Sequence, residues 1–387
     1  MKTSHQIIFD DSKNMNTIPS ESISLVVTSP PYPMIKMWDE MFVSQNPAIG
    51  KAMKNRKGPE AFELMHRILD AVWNEVFRVL KNSGIACINI GDATRTINDN
   101  FSLYQNHTRI MSYLLKLGFI ALPAVLWRKQ TNAPNKFMGS GMLPPGAYVT
   151  LEHEYILIVR KGEKREFKSL EDKQNRRQSA YFWEERNEWF SDIWLNVKGV
   201  SQNLFDNKVR NRSAAYPFEV PYRLINMFSV KGDTVLDPFL GVGTTMYAAM
   251  TAGRNSIGLE LDKNLNDSIR SGVDSITFYS NKLINNRLSS HLNFLSEKHN
   301  SGKAFGYLNK YYGFPVVTRQ EKELLINSVA AVKETNNNNF EMMYSEEPQQ
   351  EFCGDWKEIL QKNPMTSHAE KPKFKTHRKK YDQLKLL

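Results

Sequence analysis

The sequence predicts an α/β protein built on a mostly parallel sheet with helices on its faces. Three observations carry this. Short β-branched runs alternate with stretches of helical period along the first two thirds of the chain. A complete strand, glycine turn, helix and strand occupy residues 233–262, the size expected of one βαβ unit. With 387 residues the chain is long enough to bury a sizeable core and to divide into about two to three domains.

The elements follow in order. Ser24–Thr28 is a β-branched run that ends at Ser29-Pro-Pro-Tyr32. Phe62, Met65, Leu69, Val72, Val76 and Leu80 recur at helical spacing, which predicts a helix over 61–80 with Gly84 as its stop. Residues 85–90 form an apolar run that reads as a buried strand, and Cys87 within it as a small hydrophobe. A helix is expected over 107–117, stopped at Gly118, then strands over 119–127 and 155–159. Phe218, Leu224, Ile225 and Phe228 mark a helix over 217–230. Strand 234–236, helix 245–252 with Gly253 as its stop, and strand 256–259 complete the pattern.

After about residue 265 the character changes. We expect an appended helical or recognition segment over 266–332, then a linker and mobile tail over 333–387. The tail is Asn-rich at 336–339 and basic from Lys371 onward, with Phe352, Trp356 and Ile359 able to form a small docked helix. No internal repeat is visible.

Composition narrows the function classes. No apolar run approaches the roughly 18 residues of a membrane span, and the N-terminus lacks the apolar stretch of a secretory signal. A cytoplasmic protein without membrane contact is expected. Two cysteines exclude a disulfide framework and a cysteine-rich metal site, and no metal is expected. Lys+Arg 51 against Asp+Glu 41 leaves a net charge of +10, which suits a polyanionic partner.

Two short segments carry the chemistry. In Asp237-Pro-Phe-Leu-Gly-Val-Gly-Thr-Thr245, Gly241 and Gly243 let the backbone approach a nucleotide-like ligand. Met246 stands where a dinucleotide fold places its third glycine, which argues against a pyrophosphate. The acidic start of the turn favours a ligand carrying an amino group. Glu260 ends the next strand, the usual place for a carboxylate that accepts from ribose hydroxyls. Ribose, α-amino group and sulfonium together fit S-adenosylmethionine better than NAD.

In Ser29-Pro30-Pro31-Tyr32 the prolines fix φ and remove two N–H donors, and Ser29 is held extended by the proline after it. The turn therefore offers acceptors, the Ser29 hydroxyl and the carbonyls of Ser29 and Pro30. An exocyclic amino group is a donor of two hydrogens that such acceptors hold. Tyr32 adds a ring on which a base stacks. A base in a duplex reaches such a pocket only by flipping out.

These residues resemble the bacterial amino-methyltransferases of restriction–modification systems, over about residues 5–265. The resemblance implies an S-adenosylmethionine-dependent, Rossmann-like fold with a seven-stranded, mostly parallel sheet containing one antiparallel strand. The order, catalytic motif first and cofactor loop later, is the permuted order of the family's β group. It implies catalytic roles for Ser29, Pro30, Pro31 and Tyr32. It implies cofactor roles for Asp237, Pro238, Phe239, Gly241, Gly243, Thr244 and Glu260, and for Asp11 in Asp10-Asp11-Ser12, where the family has Gly-Asp-Ser. His153–Arg160, Trp194–Gly199 and Tyr216-Pro217-Phe218 also resemble family segments.

The serine of the motif points to cytosine N4 as the methylated atom, with adenine N6 as the alternative. A non-catalytic nucleic-acid-binding protein of the same fold is the more distant one. Methylation at cytosine C5 needs a thiolate nucleophile, and the surroundings of Cys87 and Cys353 do not provide it. The implied partners are double-stranded DNA and a cognate restriction endonuclease, for a monomer or dimer.

The expected organisation is a catalytic half at 1–160, a DNA-recognition insertion at 161–212 and a cofactor half at 213–265, before the extension and tail. Within the insertion Arg165, Arg176, Arg177, Arg210 and Arg212 are candidate DNA contacts. Lys36–Lys57, with Lys51, Lys54, Arg56 and Lys57, and the extension around Tyr307–Arg319 compete for that role.

Overall fold

The computed structural model describes residues 1–129, 138–197, 216–302, 304–336 and 338–358. Strands β1 (Lys2–Ile8) and β2 (Ile23–Thr28) come first, then helices α1 (Asp39–Gln45), α2 (Pro47–Lys54) and α3 (Gly58–Val79). Strand β3 (Leu80–Ile90) leads into the hairpin β4 (Ala93–Ile97) and β5 (Asn100–Tyr104), then α4 (Asn106–Lys116) and β6 (Phe119–Arg128). A small hairpin, β7 (Met138–Gly139) and β8 (Ala147–Tyr148), precedes β9 (His153–Lys161), α5 (Leu170–Gln178), α6 (Trp183–Trp189) and β10 (Ile193–Trp194). Helix α7 (Glu219–Phe228), β11 (Thr234–Asp237), α8 (Thr244–Ala252), β12 (Asn255–Leu259) and the long α9 (Asn266–Asn300) follow. The last part holds the pair β13 (Tyr307–Leu308) and β14 (Pro315–Val316) and the hairpin β15 (Val329–Asn336) and β16 (Asn339–Tyr344).

The central sheet has ten strands in the order β10-β6-β9-β3-β2-β11-β12-β1-β16-β15. Its inner seven, β6 to β1, match the expected sheet, and β9 is the antiparallel strand among them. The count of seven is corrected to ten at the edges. β10 joins β6 in parallel, and the hairpin β15–β16 joins β1 antiparallel. The linker expected from residue 333 therefore begins with sheet, the end of β15 to Asn336 and then β16 from Asn339 to Tyr344. Its alternation explains why: Phe340, Met342 and Tyr344 are buried, while Asn339, Glu341 and Met343 are only partly so.

Every residue of β2 is buried, as a central parallel strand requires. Leu25 and Val27 face a core shared with α7, α8 and α9, and Ile23 and Val26 face one shared with α3 and α4. A third core joins Phe182, the second half of α9, Tyr312, Phe314 and Phe352. Part of the expected insertion is thus structural. Phe182, Trp189 and Trp194 are buried anchors, and the Trp194 indole donates to the Trp189 carbonyl. Phe352 docks as expected, Trp356 packs against the same core, and Ile359 lies outside the described residues.

One boundary moves for a steric reason. Helix α3 ends at Val79, and Leu80 is already extended. Gly84 lies inside β3 and is not a helix stop. A Cβ there would sit 2.6 Å from Leu80 Cγ and 2.9 Å from the Lys81 carbonyl. The β2–β3 register shifts beside it, so the glycine serves a bulge. Gly118 and Gly253 do end their helices, with φ of 98° and 72°. Among the described residues no helix is long and apolar enough to cross a membrane.

Candidate active site

Strands β2 and β11 are parallel neighbours, and their connections leave in opposite directions, to β3 and to β12. Such a switch point opens a crevice at the carboxyl ends of the strands. Both sequence motifs emerge there. The proline turn follows Thr28 and the glycine turn follows Leu236. A cavity of about 900 Å³ lies between them. Ser29, Pro30, Pro31, Tyr32, Asp11, Asp237, Pro238, Phe239, Gly241, Thr244 and Glu260 all line it.

The two turns are tied together. The Asp237 carboxylate is buried and accepts from Thr28 Oγ1 at 2.6 Å, from Thr245 Oγ1 at 2.6 Å and from the Phe239 N–H at 3.0 Å. Burial pushes its pKa up to about 6, against these hydrogen bonds, which lower it. Tyr216 joins through its hydroxyl contact with Thr245. Asp237 therefore braces both turns, a part the sequence did not reveal beside its expected place at the cofactor.

Gly243 does not line the cavity. It is the residue before α8, with φ of 90°, and a Cβ there would lie 3.0 Å from the Tyr247 ring. It shapes the turn from behind. Gly241, with φ of 56°, donates its N–H to Glu260 Oε2 at 2.7 Å. Glu260 Oε1 accepts from the Asp262 N–H, and burial raises this carboxyl. Asp11 reaches the cavity because Ser12 donates to the Pro238 carbonyl, which locks its segment to the glycine turn.

Tyr32 is held by groups that sequence reasoning missed. Its hydroxyl donates to Glu154 Oε2 at 2.9 Å, accepts from Asn89 Nδ2 at 2.8 Å and lies 3.2 Å from Ser29 Oγ. Burial and the Glu154 charge push the phenol pKa well up. Lys129 pairs with the other Glu154 oxygen at 2.8 Å. The available signal was a polar residue in each of two apolar strands, Asn89 in 85–90 and Glu154 in 153–160. Ile35, Met37, Trp38, Met41 and Phe42 line another wall of the cavity.

Three of the five arginines expected at DNA are described, and they lie away from the cavity. Arg165 pairs with Asp233 and stands over Phe167, Arg176 stands over the same ring, and Arg177 pairs with Glu323. Asp233 immediately precedes β11, so Arg165 sits at the amino end of the parallel strands, away from the cavity. Asn175 of α5 bonds the Lys231 carbonyl at that same end. Arg210 and Arg212 lie outside the described residues.

A mainly parallel α/β sheet whose switch-point crevice holds an acceptor-rich proline turn facing a glycine turn and a strand-end carboxylate defines an enzyme of the nucleotide-ligand class. The chain belongs to the N6/N4 methyltransferase family, whose model, described as DNA methylase, matches residues 23–271. It is 52% identical over 347 residues to the Type II methyltransferase M.MthZI of Methanothermobacter thermautotrophicus, covering 89% of this chain and 96% of that one. It is 52% identical over 282 residues to the Type II methyltransferase M.MjaI of Methanocaldococcus jannaschii, covering 70% and 91%. Among solved structures it is similar to a candidate DNA modification methylase of Thermus thermophilus complexed with S-adenosyl-L-methionine. There the identity is 29% and the TM-score 0.55, over 70% of this chain and 94% of that one.

Proposed function

We propose that this DNA methylase transfers a methyl group from S-adenosylmethionine to the exocyclic N4 of a cytosine flipped out of double-stranded DNA. The observation that carries the reading is the single cavity onto which both motifs open. Its residues fit the cofactor. Glu260 is a part-buried carboxylate beside the glycine turn, suited to ribose hydroxyls, and Asp11 and Phe239 offer an acceptor and a ring to an adenine. When bound, the cofactor supplies an electrophilic methyl. Ser29 and the Pro30 carbonyl accept from the two amino hydrogens and so aim the nitrogen lone pair, while the Tyr32 ring supports the base. Positioning two bound reactants supplies much of the rate.

The permuted β-group order fits a chain in which β2 precedes β11. The catalytic half is 1–160 and the cofactor half 213–265, with the β15–β16 hairpin added to the same sheet. For DNA contact we favour the segment that follows the proline turn, where Lys36 is exposed beside the lining residue Met37 and Lys51, Lys54 and Arg56 are exposed in and after α2. Cognate methylation would protect host DNA from a partner endonuclease; the similar protein M.MthZI is named a Type II methyltransferase.

The test is incubation with labelled S-adenosylmethionine and unmethylated DNA, digestion to nucleosides and mass spectrometry. N4-methylcytosine is expected. N6-methyladenine keeps the chemistry and overturns the base. Cofactor binding without methylation of several diverse DNAs overturns the reading.

A further inference from the structure

The hydroxyl contact between Ser29 and Tyr32 has a direction, and the neighbouring groups determine it. Tyr32 has one proton to donate, and its partner Glu154 is an acceptor when ionised. Glu154 Oε2 receives that proton at 2.9 Å and an Asn89 N–H at 2.7 Å, and Lys129 occupies Oε1 at 2.8 Å. The second Asn89 N–H is directed to the Tyr32 oxygen at 2.8 Å. The Asn89 amide cannot be turned round, because its oxygen would then face a carboxylate. With the Tyr32 proton committed, the 3.2 Å contact leaves Ser29 as the donor and Tyr32 as the acceptor.

Resting on the function proposed above, we infer that Glu154 is a positioning residue that acts through Tyr32 to make Ser29 an acceptor toward the target amino group. Ser29 has one proton. Once it is given to Tyr32, both Ser29 lone pairs are free for the amino donor in the cavity. Without the fixed acceptor at Glu154, Tyr32 can donate to Ser29 instead and occupy a lone pair that the substrate needs. Two further features support a clamped ring. Glu154 and Asn89 lie on adjacent antiparallel strands, Asn89 opposite Ile156, which places both side chains on one face. Gly91 leaves room for the ring, since a Cβ there would lie 3.0 Å from Tyr32 Cε2.

Glu154→Gln supplies one acceptor and one donor where two acceptors are used, so either Lys129 or Tyr32 faces an N–H. The loss of one oriented hydrogen bond predicts a kcat about tenfold lower or less, with S-adenosylmethionine affinity within about twofold. In a Ser29→Ala background the same change should cost under about twofold, because the group it acts through is gone. Tyr32→Phe keeps the ring, removes the relay and tests the idea independently of how Glu154→Gln folds. It should lower kcat by a similar factor and make Glu154→Gln nearly silent. Wild-type kcat in Tyr32→Phe, or the full loss from Glu154→Gln retained in Ser29→Ala, overturns the inference. A wild-type protein that methylates no DNA removes the parent reading and this inference with it. An active wild type beside an equally active Glu154→Gln removes the inference alone.

Discussion

The proline turn after β2 and the glycine turn after β11 occupy equivalent places at the ends of adjacent parallel strands, yet they achieve order by opposite means. The first removes freedom and donors, through Pro30 and Pro31. Its outward groups are acceptors, and Tyr32 is then fixed by Glu154 and Asn89. The second uses conformations that ordinary residues avoid, with φ of 56° at Gly241 and 90° at Gly243. Its outward groups are a helix start and the Glu260 carboxylate. A donor-rich amino group suits the first wall and a ribose-bearing cofactor suits the second. Asp237 holds the walls in register through Thr28 on one side and Thr245 on the other.

The sharpest way to break this division is Tyr32→Ala. We expect kcat to fall by roughly 10²-fold or more, with cofactor affinity nearly unchanged in calorimetry. Equal loss of both would show that the turns are not separate in function. Gly243→Ala comes next. A left-handed alanine costs about 1–2 kcal/mol, and its Cβ presses on Tyr247, so the turn shifts. Cofactor affinity should drop about tenfold or more, while a cofactor-independent base-flipping signal from a fluorescent base analogue persists.

Asp237 offers a test that depends on pH. Its folded pKa is raised above the ordinary carboxylate value, to about 6, so the folded state holds a proton that the unfolded chain has lost. Its contribution to stability is therefore present at low pH and declines as pH rises from about 4 to 6. In Asp237→Asn that slope disappears, while buried histidines such as His66 act alike in both proteins. Urea unfolding should show the wild type gaining about 2 kcal/mol on the variant at pH 4.5 relative to pH 7. No change in that gap would mean that the carboxylate is not desolvated as the structure has it.

The smallest effect is expected from Arg177→Ala, because Arg177 pairs with Glu323 and its helix, through Asn175, bonds the Lys231 carbonyl just before β11. Paired replacement of Lys51 and Lys54 should weaken DNA binding and reduce its salt dependence by about two phosphate contacts. The reverse ranking, read from binding at several salt concentrations, would return the DNA surface to the insertion.

Both walls of the cavity were legible in the residues themselves, because local chemistry governs them. Ser29-Pro-Pro-Tyr32 and the Gly241 and Gly243 turn are conformational statements that need no tertiary partner. Helical periods over 61–80 and 217–230 located α3 and α7, and the β-branched run before Ser29 located β2, for the same reason. Gly84 was misread because a strand bulge and a helix stop ask for the same residue, and only the packing of Leu80 separates them. Beyond residue 333 an Asn-rich stretch concealed a hairpin, whose second strand, β16, pairs with β1, more than 300 residues away in sequence, and carries β15 with it.

What the tertiary structure alone decided is the company each group keeps. Composition revealed the arginines of 161–212 but not that Asp233 and Glu323 neutralise two of them. The sequence by itself determined that a hydroxyl, two prolines and a ring would stand at a strand end. Which way the Ser29 proton points depends on Asn89, Lys129 and Glu154, which come from three different strand ends and meet only when the sheet forms.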